Sequence, residues 1–212
     1  GGGIGQTYPG SCGDAPNNEY TNPVLRHNGV FERTKGFCTD VFFDRAMQWI
    51  EARGKTGEPF FCALTPNAPH SPYHAPEAWK KRYLEAGLDD QAAGFCGMVE
   101  NIDWNVGRLL AKLDALGLAE NTLVLFFGDN GSCQPRLFSG GMRGGKGTPY
   151  QGGTHVGLLA RWERLLDDVS RWRFAPTPTH GRLEAADVLV EFEAPDDIAS
   201  GRVRGVLGWE DA

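Results

Sequence analysis

LVLFFGDNG, residues 123–131, is the stretch that decides the fold. Its first five residues are apolar without alternation, which is typical of a parallel β-strand that is buried on both faces. Glycine and polar residues follow at once, as expected where a strand gives way to a loop. The sequence therefore predicts a central strand over residues 123–127, with a polar loop at its carboxyl end.

A long amphipathic helix is predicted just before this strand, over residues 91–116. Apolar side chains recur there at spacings of three and four, as they do on one face of an α-helix. Gly117 follows the last of them and is a typical helix end. We expect this helix to pack on the strand, because each has an apolar surface to bury.

Further elements are predicted along the chain. A helix begins with Thr39 or Asp40 as N-cap, residues 59–64 suit a buried strand, and residues 156–160 are another strand candidate. Residues 1–36 are rich in Gly, Asn and Pro and are predicted to form loops. Strands that alternate with helices predict an α/β fold, with a mostly parallel sheet flanked by helices.

Composition narrows the classes of function. The chain has 212 residues, 41% of them hydrophobic, which is enough for one sizeable core. Its net charge of -6 argues against nucleic acid as a main partner, because phosphate binding leaves a basic footprint. The sequence has no unbroken apolar run long enough to cross a bilayer, so no membrane span is predicted.

The pair Asp129–Asn130 is a candidate metal site. A carboxylate and an amide carbonyl offer two hard oxygen ligands, which suit Ca²⁺ or Mg²⁺. The alternative is a plain turn, because Asn-Gly is a common turn dipeptide.

His70 and Lys146 are candidate anion-binding residues. The prolines of the loop NAPHSP, residues 67–72, restrict the backbone and could hold the His70 ring towards a cleft. Lys146 stands in the Gly-rich segment 140–153, whose backbone could approach an anion closely. The alternatives are an exposed loop histidine and a merely flexible loop. Because α/β sheets bind ligands at the carboxyl ends of strands, we expect His70, Lys146 and the Asp129–Asn130 pair to converge on one cleft.

The order of these motifs resembles the sulfatases of the alkaline-phosphatase-like superfamily, in particular bacterial arylsulfatases. The resemblance covers roughly residues 28–160. It rests on GFCTD at 36–40, NAPHSP at 67–72, GMVENID at 97–103, DNG at 129–131 and the loop at 143–153.

This resemblance implies a sulfate ester hydrolase with an alkaline-phosphatase-like α/β fold, of which this chain is an incomplete part. In the family, a formylglycine made from a Cys or Ser in a C-x-P-x-R or S-x-P-x-R motif is the nucleophile. The family's Ca²⁺ is held by two leading Asp residues and a later Asp-Asn pair, here Asp129 and Asn130, with Mg²⁺ as an alternative. By the same match, His70 and Lys146 bind the sulfate oxygens.

Other parts of the family pattern are expected to precede Gly1, namely the two leading Asp ligands, the nucleophile motif, and the Lys and His after it. Cys133 does not supply the nucleophile, because in CQPRL (133–137) the Arg stands one position too early. The segment 150–157 also departs from the family's Y-E-G-G-x-R-V-P. We therefore expect the isolated chain to be inactive, with residues 1–160 as part of a catalytic domain and residues 161–212 as a divergent tail.

The resemblance also implies a partner and a location. The partner is a small-molecule or carbohydrate sulfate ester, and the location is periplasmic or secreted. Two alternatives remain open: a phosphodiesterase or phosphonate hydrolase of the same superfamily, and a non-catalytic fragment. The residue upstream decides between the two enzyme classes, because an ordinary Ser or Thr in place of the formylglycine motif favours phosphoryl transfer.

Overall fold

The computed structural model describes Ile4, Gly13, residues 15–162, and two strands at residues 189–192 and 203–206. The chain divides into two compact units, Gly1–Ala119 and Glu120–Ala212. Most of the predicted tail lies outside the described residues, and the predicted domain boundary at residue 160 stays a prediction. No helix in the described part of the chain combines the length and the apolar character needed to span a bilayer.

The first unit opens with a β-hairpin, in a region that was predicted to form only loops. Strand β1 (Val24–His27) pairs antiparallel with β2 (Val30–Arg33). Asn28 and Gly29 form the turn with φ values of 50° and 88°, a backbone region that Asn and Gly tolerate best. The Asn-Gly dipeptide between two short apolar segments was the sequence signal for this hairpin.

The first predicted helix is confirmed, with a different N-cap. Helix α1 spans Cys38–Thr56 and follows Phe37, which caps it without a side-chain hydrogen bond. Neither Thr39 nor Asp40 is the cap. The Thr39 side chain is buried inside the first turn, and the Asp40 carboxylate is engaged by a neighbouring helix.

Two further helices complete the first unit. Helix α3 (Asp90–Ala115) confirms the long helix predicted over 91–116, and the Asp89 side chain caps it by accepting from the Ala92 N–H at 2.8 Å. Helix α2 (Glu77–Glu85) was not predicted. None of its residues is fully buried, and the half-buried Trp79 and Tyr83, four residues apart, are a short signal in a helix of only 9 residues.

The contact between α1 and α3 includes buried polar groups near the start of α1. Asn101 and Asn105 are fully buried, and both donate to Oδ1 of Asp40, at 2.8 and 2.7 Å. Nearer the other end of α1, Lys112 donates to Glu51 at 2.6 Å, and this bond, together with one from Lys55, lowers the pKa of Glu51 to about 2. Because buried polar groups need partners at defined distances, these bonds fix the position of α1 on α3.

Through two glycines, helix α3 also approaches both α2 and the segment before it very closely. A Cβ on Gly94 would overlap the backbone carbonyl oxygen of Tyr73, and a Cβ on Gly97 would lie 2.9 Å from that of Trp79. A residue without a side chain is therefore required at Gly94.

Replacing Gly94 by Ala is expected to lower the free energy of unfolding by about 1–3 kcal/mol, because the helix and the Tyr73 backbone must move apart. Gly107→Ala is the matched control on the exposed face of the same helix, where nothing lies within 4 Å of an added Cβ. It is expected to stabilise the protein by about 0.5–1 kcal/mol. Denaturant unfolding of the complete protein measures both, and equal stability of the two variants would contradict the close approach.

Residues 59–64 do not form the predicted buried strand. The segment pairs with no strand among the described residues, and Phe61 is 88% exposed. An apolar run becomes a strand only where another strand completes its backbone hydrogen bonds, and no partner lies beside this one in the described part of the unit.

In the second unit, the apolar run at residues 123–127 forms a strand, but its pairing and its burial differ from the prediction. Strand β3 (Val124–Phe127) pairs antiparallel with β4 (Leu158–Arg161), so both predicted strands exist. Phe127 is 60% exposed, and burial on both faces in a parallel ladder is wrong for the described residues. A two-stranded ladder has no covering layer of its own. The packing of the long helix on this strand stays a prediction.

Strands β5 (Leu189–Phe192) and β6 (Val203–Val206) form another antiparallel pair.

Candidate functional site

His70 lies half-buried in the loop between α1 and α2 of the first unit. Its backbone N–H donates to the Asn67 carbonyl at 3.0 Å, and its ring Nδ1 lies 2.8 Å from the Ser71 carbonyl oxygen. A carbonyl oxygen can only accept, so Nδ1 carries a hydrogen in this arrangement. No described residue bonds to the second ring nitrogen, Nε2, which is therefore available to a ligand.

Tyr20 is a site residue that the sequence analysis missed. Its side chain is 1% exposed, and its hydroxyl donates to the His70 carbonyl at 2.8 Å. It lies within the region predicted as loops, where no periodic pattern singles it out.

In the second unit, the loop that carries the Asp129–Asn130 pair contacts the Gly-rich loop. The Gly131 N–H donates to the Gly153 carbonyl at 3.0 Å, and the Lys146 N–H donates to the Ser132 carbonyl at 2.9 Å. The structure thus places the candidate metal ligands and the candidate anion-binding lysine on two loops that are in direct backbone contact.

The Gly-rich loop has a defined internal structure. The short helix α4 (Gln151–Thr154) closes it, and the Gly152 N–H donates to the Arg143 carbonyl at 2.8 Å. The Arg143 guanidinium lies 3.8 Å from the centroid of the Tyr150 ring and also donates to the Tyr150 hydroxyl. These contacts tie the start of the loop at Arg143 to its end at Tyr150 and Gly152.

An open cleft of about 560 Å³ lies beside these two loops. Its lining includes Ser132, Pro135, Gly145 and Lys146. The volume is in the range of small-molecule sites, and a lysine on the wall suits an anionic group.

The candidate ligand side chains on these two loops have no partners among the described residues. Among residues 15–162, no hydrogen bond or ion pair engages the side chains of Asp129, Asn130 or Lys146. Asp129 and Lys146 are exposed and Asn130 is half-buried. All three side chains can therefore contact a ligand without breaking an internal bond.

The pair Asp129–Asn130 fits part of a Ca²⁺ site. Carboxylate and amide oxygens are the ligand types that Ca²⁺ takes, but the ion needs about six to eight of them. In the parts of the chain that the structure describes, no group of three or more His, Cys, Asp or Glu side chains is placed to hold a metal ion. The pair can supply only a fraction of the coordination shell.

The predicted convergence of all four site residues stays a prediction. His70 belongs to the first unit, whereas Asp129, Asn130 and Lys146 belong to the second. The contacts described above fix the surroundings of His70 within the first unit, and the contact between the two loops within the second.

Comparisons with known proteins agree on one family. A family model described as Sulfatase matches residues 5–183. The uncharacterized sulfatase YdeN of Escherichia coli (strain K12) is 30% identical over 200 residues, which cover 90% of this chain and 34% of YdeN. Steryl-sulfatase of Mus musculus is 35% identical over 151 residues, which cover 64% of this chain and 23% of the mouse protein.

Solved structures support the fold. The crystal structure of Ps i-CgsB in complex with k-i-k-neocarrahexaose matches with a TM-score of 0.62 and 28% identity, over 66% of this chain and 31% of that chain. This likeness confirms the predicted α/β fold class of the alkaline-phosphatase-like type. The chain spans about a third or less of the length of these relatives.

Proposed function

The chain belongs to the sulfatase family, and we propose that the complete protein hydrolyses sulfate esters at the cleft beside Lys146. The observation that carries the proposal is the contact between two loops of the second unit. One carries an Asp-Asn pair and the other an unpaired lysine. The first provides oxygen ligands for a cation, and the second provides a positive charge for an anion.

Lys146 would hold sulfate oxygens. Its ammonium group is exposed at the cleft and makes no ion pair with any described residue. A compact positive charge that is already in place stabilises negative charge as it shifts during transfer of the sulfuryl group.

His70 would contact the same group through Nε2. The Nδ1–H is directed to the Ser71 carbonyl, so Nε2 is the ring atom that remains. Sulfate oxygens only accept, which means that Nε2 must also carry a hydrogen. A ring that holds both hydrogens is a cation, and this suits an anionic substrate.

Asp129 and Asn130 would hold Ca²⁺, with Mg²⁺ as an alternative, through one carboxylate and one amide oxygen. When bound, the ion supplies positive charge that stabilises the oxygens of the sulfate group. The remaining ligands and the formylglycine nucleophile belong, in this proposal, to parts of the protein outside these 212 residues.

The proposed substrate is an aryl or carbohydrate sulfate ester. One similar protein is named a steryl-sulfatase, which supports an organic sulfate ester, and another was crystallised with a neocarrahexaose, which supports the carbohydrate class. The aryl class follows from the resemblance to arylsulfatases. A periplasmic or secreted location is part of the same proposal, and cell fractionation with an antibody to the protein tests it.

The test of the proposed function compares two ester classes in the complete protein. We expect para-nitrophenyl sulfate to be cleaved with a higher kcat/KM than a para-nitrophenyl phosphodiester or phosphonate, with activity lost on chelation of Ca²⁺. A preference for the phosphorus esters would instead support the alternative of a phosphodiesterase or phosphonate hydrolase.

The isolated chain is expected to show no turnover of para-nitrophenyl sulfate, with or without Ca²⁺. The nucleophile is proposed to lie outside it, and loss of a covalent nucleophile costs orders of magnitude in rate. The measurement is release of nitrophenol by the purified chain. Turnover that Lys146→Ala abolishes would show that these residues already contain a working site.

A further inference from the structure

We propose that Tyr20 is the positioning residue for His70, holding the backbone of the histidine so that its Nε2 is aimed at the sulfate group. The inference rests on the proposed function, because it takes the role of His70 in sulfate binding from there. Tyr20 itself is almost fully buried and is not expected to touch the substrate.

On the loop side, the Tyr20 hydroxyl binds the histidine's own peptide group. It donates to the His70 carbonyl at 2.8 Å and lies 3.5 Å from the Asn67 carbonyl. The shorter contact has ordinary hydrogen-bond length, so the single hydroxyl hydrogen is directed mainly to His70.

On the other side, Tyr20 is attached to the start of α1. Its ring stacks on Phe37 with the centroids 5.8 Å apart, and its carbonyl accepts from the Cys38 N–H at 2.7 Å. The first turn of α1 is in turn tied to α3, because Asp40 accepts from the buried Asn101 and Asn105 side chains. A continuous series of hydrogen bonds and ring contacts thus joins the α1–α3 pair to His70.

The Tyr20 bond differs in kind from the other bonds that orient His70. The His70 N–H bonds to Asn67 and the ring bonds to Ser71, and both partners belong to the same loop. Such local bonds persist when the loop moves as a whole. The Tyr20 bond joins the histidine to a helix and therefore opposes that movement. Tyr73 anchors the loop three residues further on, where its ring meets Phe95 of α3 edge-on at 5.6 Å.

Tyr20→Phe in the complete protein removes the hydroxyl and keeps the ring that stacks on Phe37. We expect kcat/KM for para-nitrophenyl sulfate to fall about tenfold or more, because small displacements of a catalytic group have effects of this size. Tyr83→Phe is the matched control. Its hydroxyl accepts from Arg82 on α2, and its loss is expected to change kcat/KM by less than about twofold.

The same substitution in a His70→Ala background separates positioning from general stability. If Tyr20 acts through His70, Tyr20→Phe changes kcat/KM by less than about twofold in the variant that lacks the His70 ring. A similar loss in both backgrounds at matched folded concentration would mean a structural role and would overturn the proposal. So would the absence of any loss in the wild-type background.

A crystal structure of the Tyr20→Phe variant decides the matter independently of activity. We expect the His70 ring to be displaced by about 1 Å or more, the scale at which catalytic geometry is lost. A ring that superposes on that of the wild type overturns the proposal. If the wild-type protein cleaves no sulfate ester, the proposed function fails, and this displacement alone then supports or rejects the positioning by Tyr20.

Discussion

Replacing Lys146 by Met in the complete protein is expected to lower kcat/KM for an aryl sulfate by about 10²–10³-fold. Methionine keeps an unbranched stem of similar length and removes the charge. The ammonium lies at the cleft without a protein partner, so its loss leaves no internal charge unbalanced. The effect should therefore fall on the substrate and on the charge that develops in the transition state, where one such group is worth about this much.

Two comparisons make the Lys146 experiment decisive. Lys81→Met is the control, because Lys81 is exposed on α2 and makes only a 3.9 Å ion pair with Glu85. Its kcat/KM is expected to stay within about twofold of the wild type. Inhibition by inorganic sulfate should weaken in Lys146→Met and not in Lys81→Met. If inorganic sulfate inhibits Lys146→Met as strongly as the wild type, and the variant keeps most of its activity at equal folded concentration, Lys146 does not bind the sulfate group.

Asp129→Ala is expected to reduce activity on the order of 10²-fold or more, and far more than His74→Ala does. Asp129 would supply one anionic ligand to a Ca²⁺ that both holds the sulfate and orients the nucleophile, so its loss removes charge and geometry together. His74 follows His70 by four residues and does not match the family's histidine position. Its side chain is exposed, and its backbone N–H donates to the Pro72 carbonyl. Nothing in its surroundings gives it a ligand role.

A Ca²⁺ titration of both variants at matched folded concentration is the measurement. Asp129→Ala should need more Ca²⁺ for half-maximal activity, whereas His74→Ala should follow the wild-type curve. If Asp129 only closes a turn, its replacement lowers stability and leaves the activity per folded molecule intact. Equal activity in the two variants, with unchanged Ca²⁺ dependence, would reduce Asp129 to a turn residue.

Local sequence determined those features whose physical causes are local. Helix α3 ends within one residue of the prediction at both ends, because apolar spacing, the Asp89 cap and Gly117 all act within a few residues. The site motifs could be identified for the same reason. The short segments that carry His70, Asp129, Asn130 and Lys146 each have their own composition, and their order along the chain identified the family that the comparisons confirm.

Tertiary structure decided everything that depends on a partner distant in the sequence. Residues 59–64 and β3 are both apolar runs, yet among the described residues only β3 has a strand beside it, and its partner β4 lies more than 30 residues away. The buried Asn101 and Asn105 would count as polar surface in any helical pattern, until Asp40 is found opposite them. Tyr20 reaches His70 across 50 residues. Periodicity reports which face of an element is apolar, whereas the group that meets that face is set by long-range packing, which leaves no local trace in the sequence.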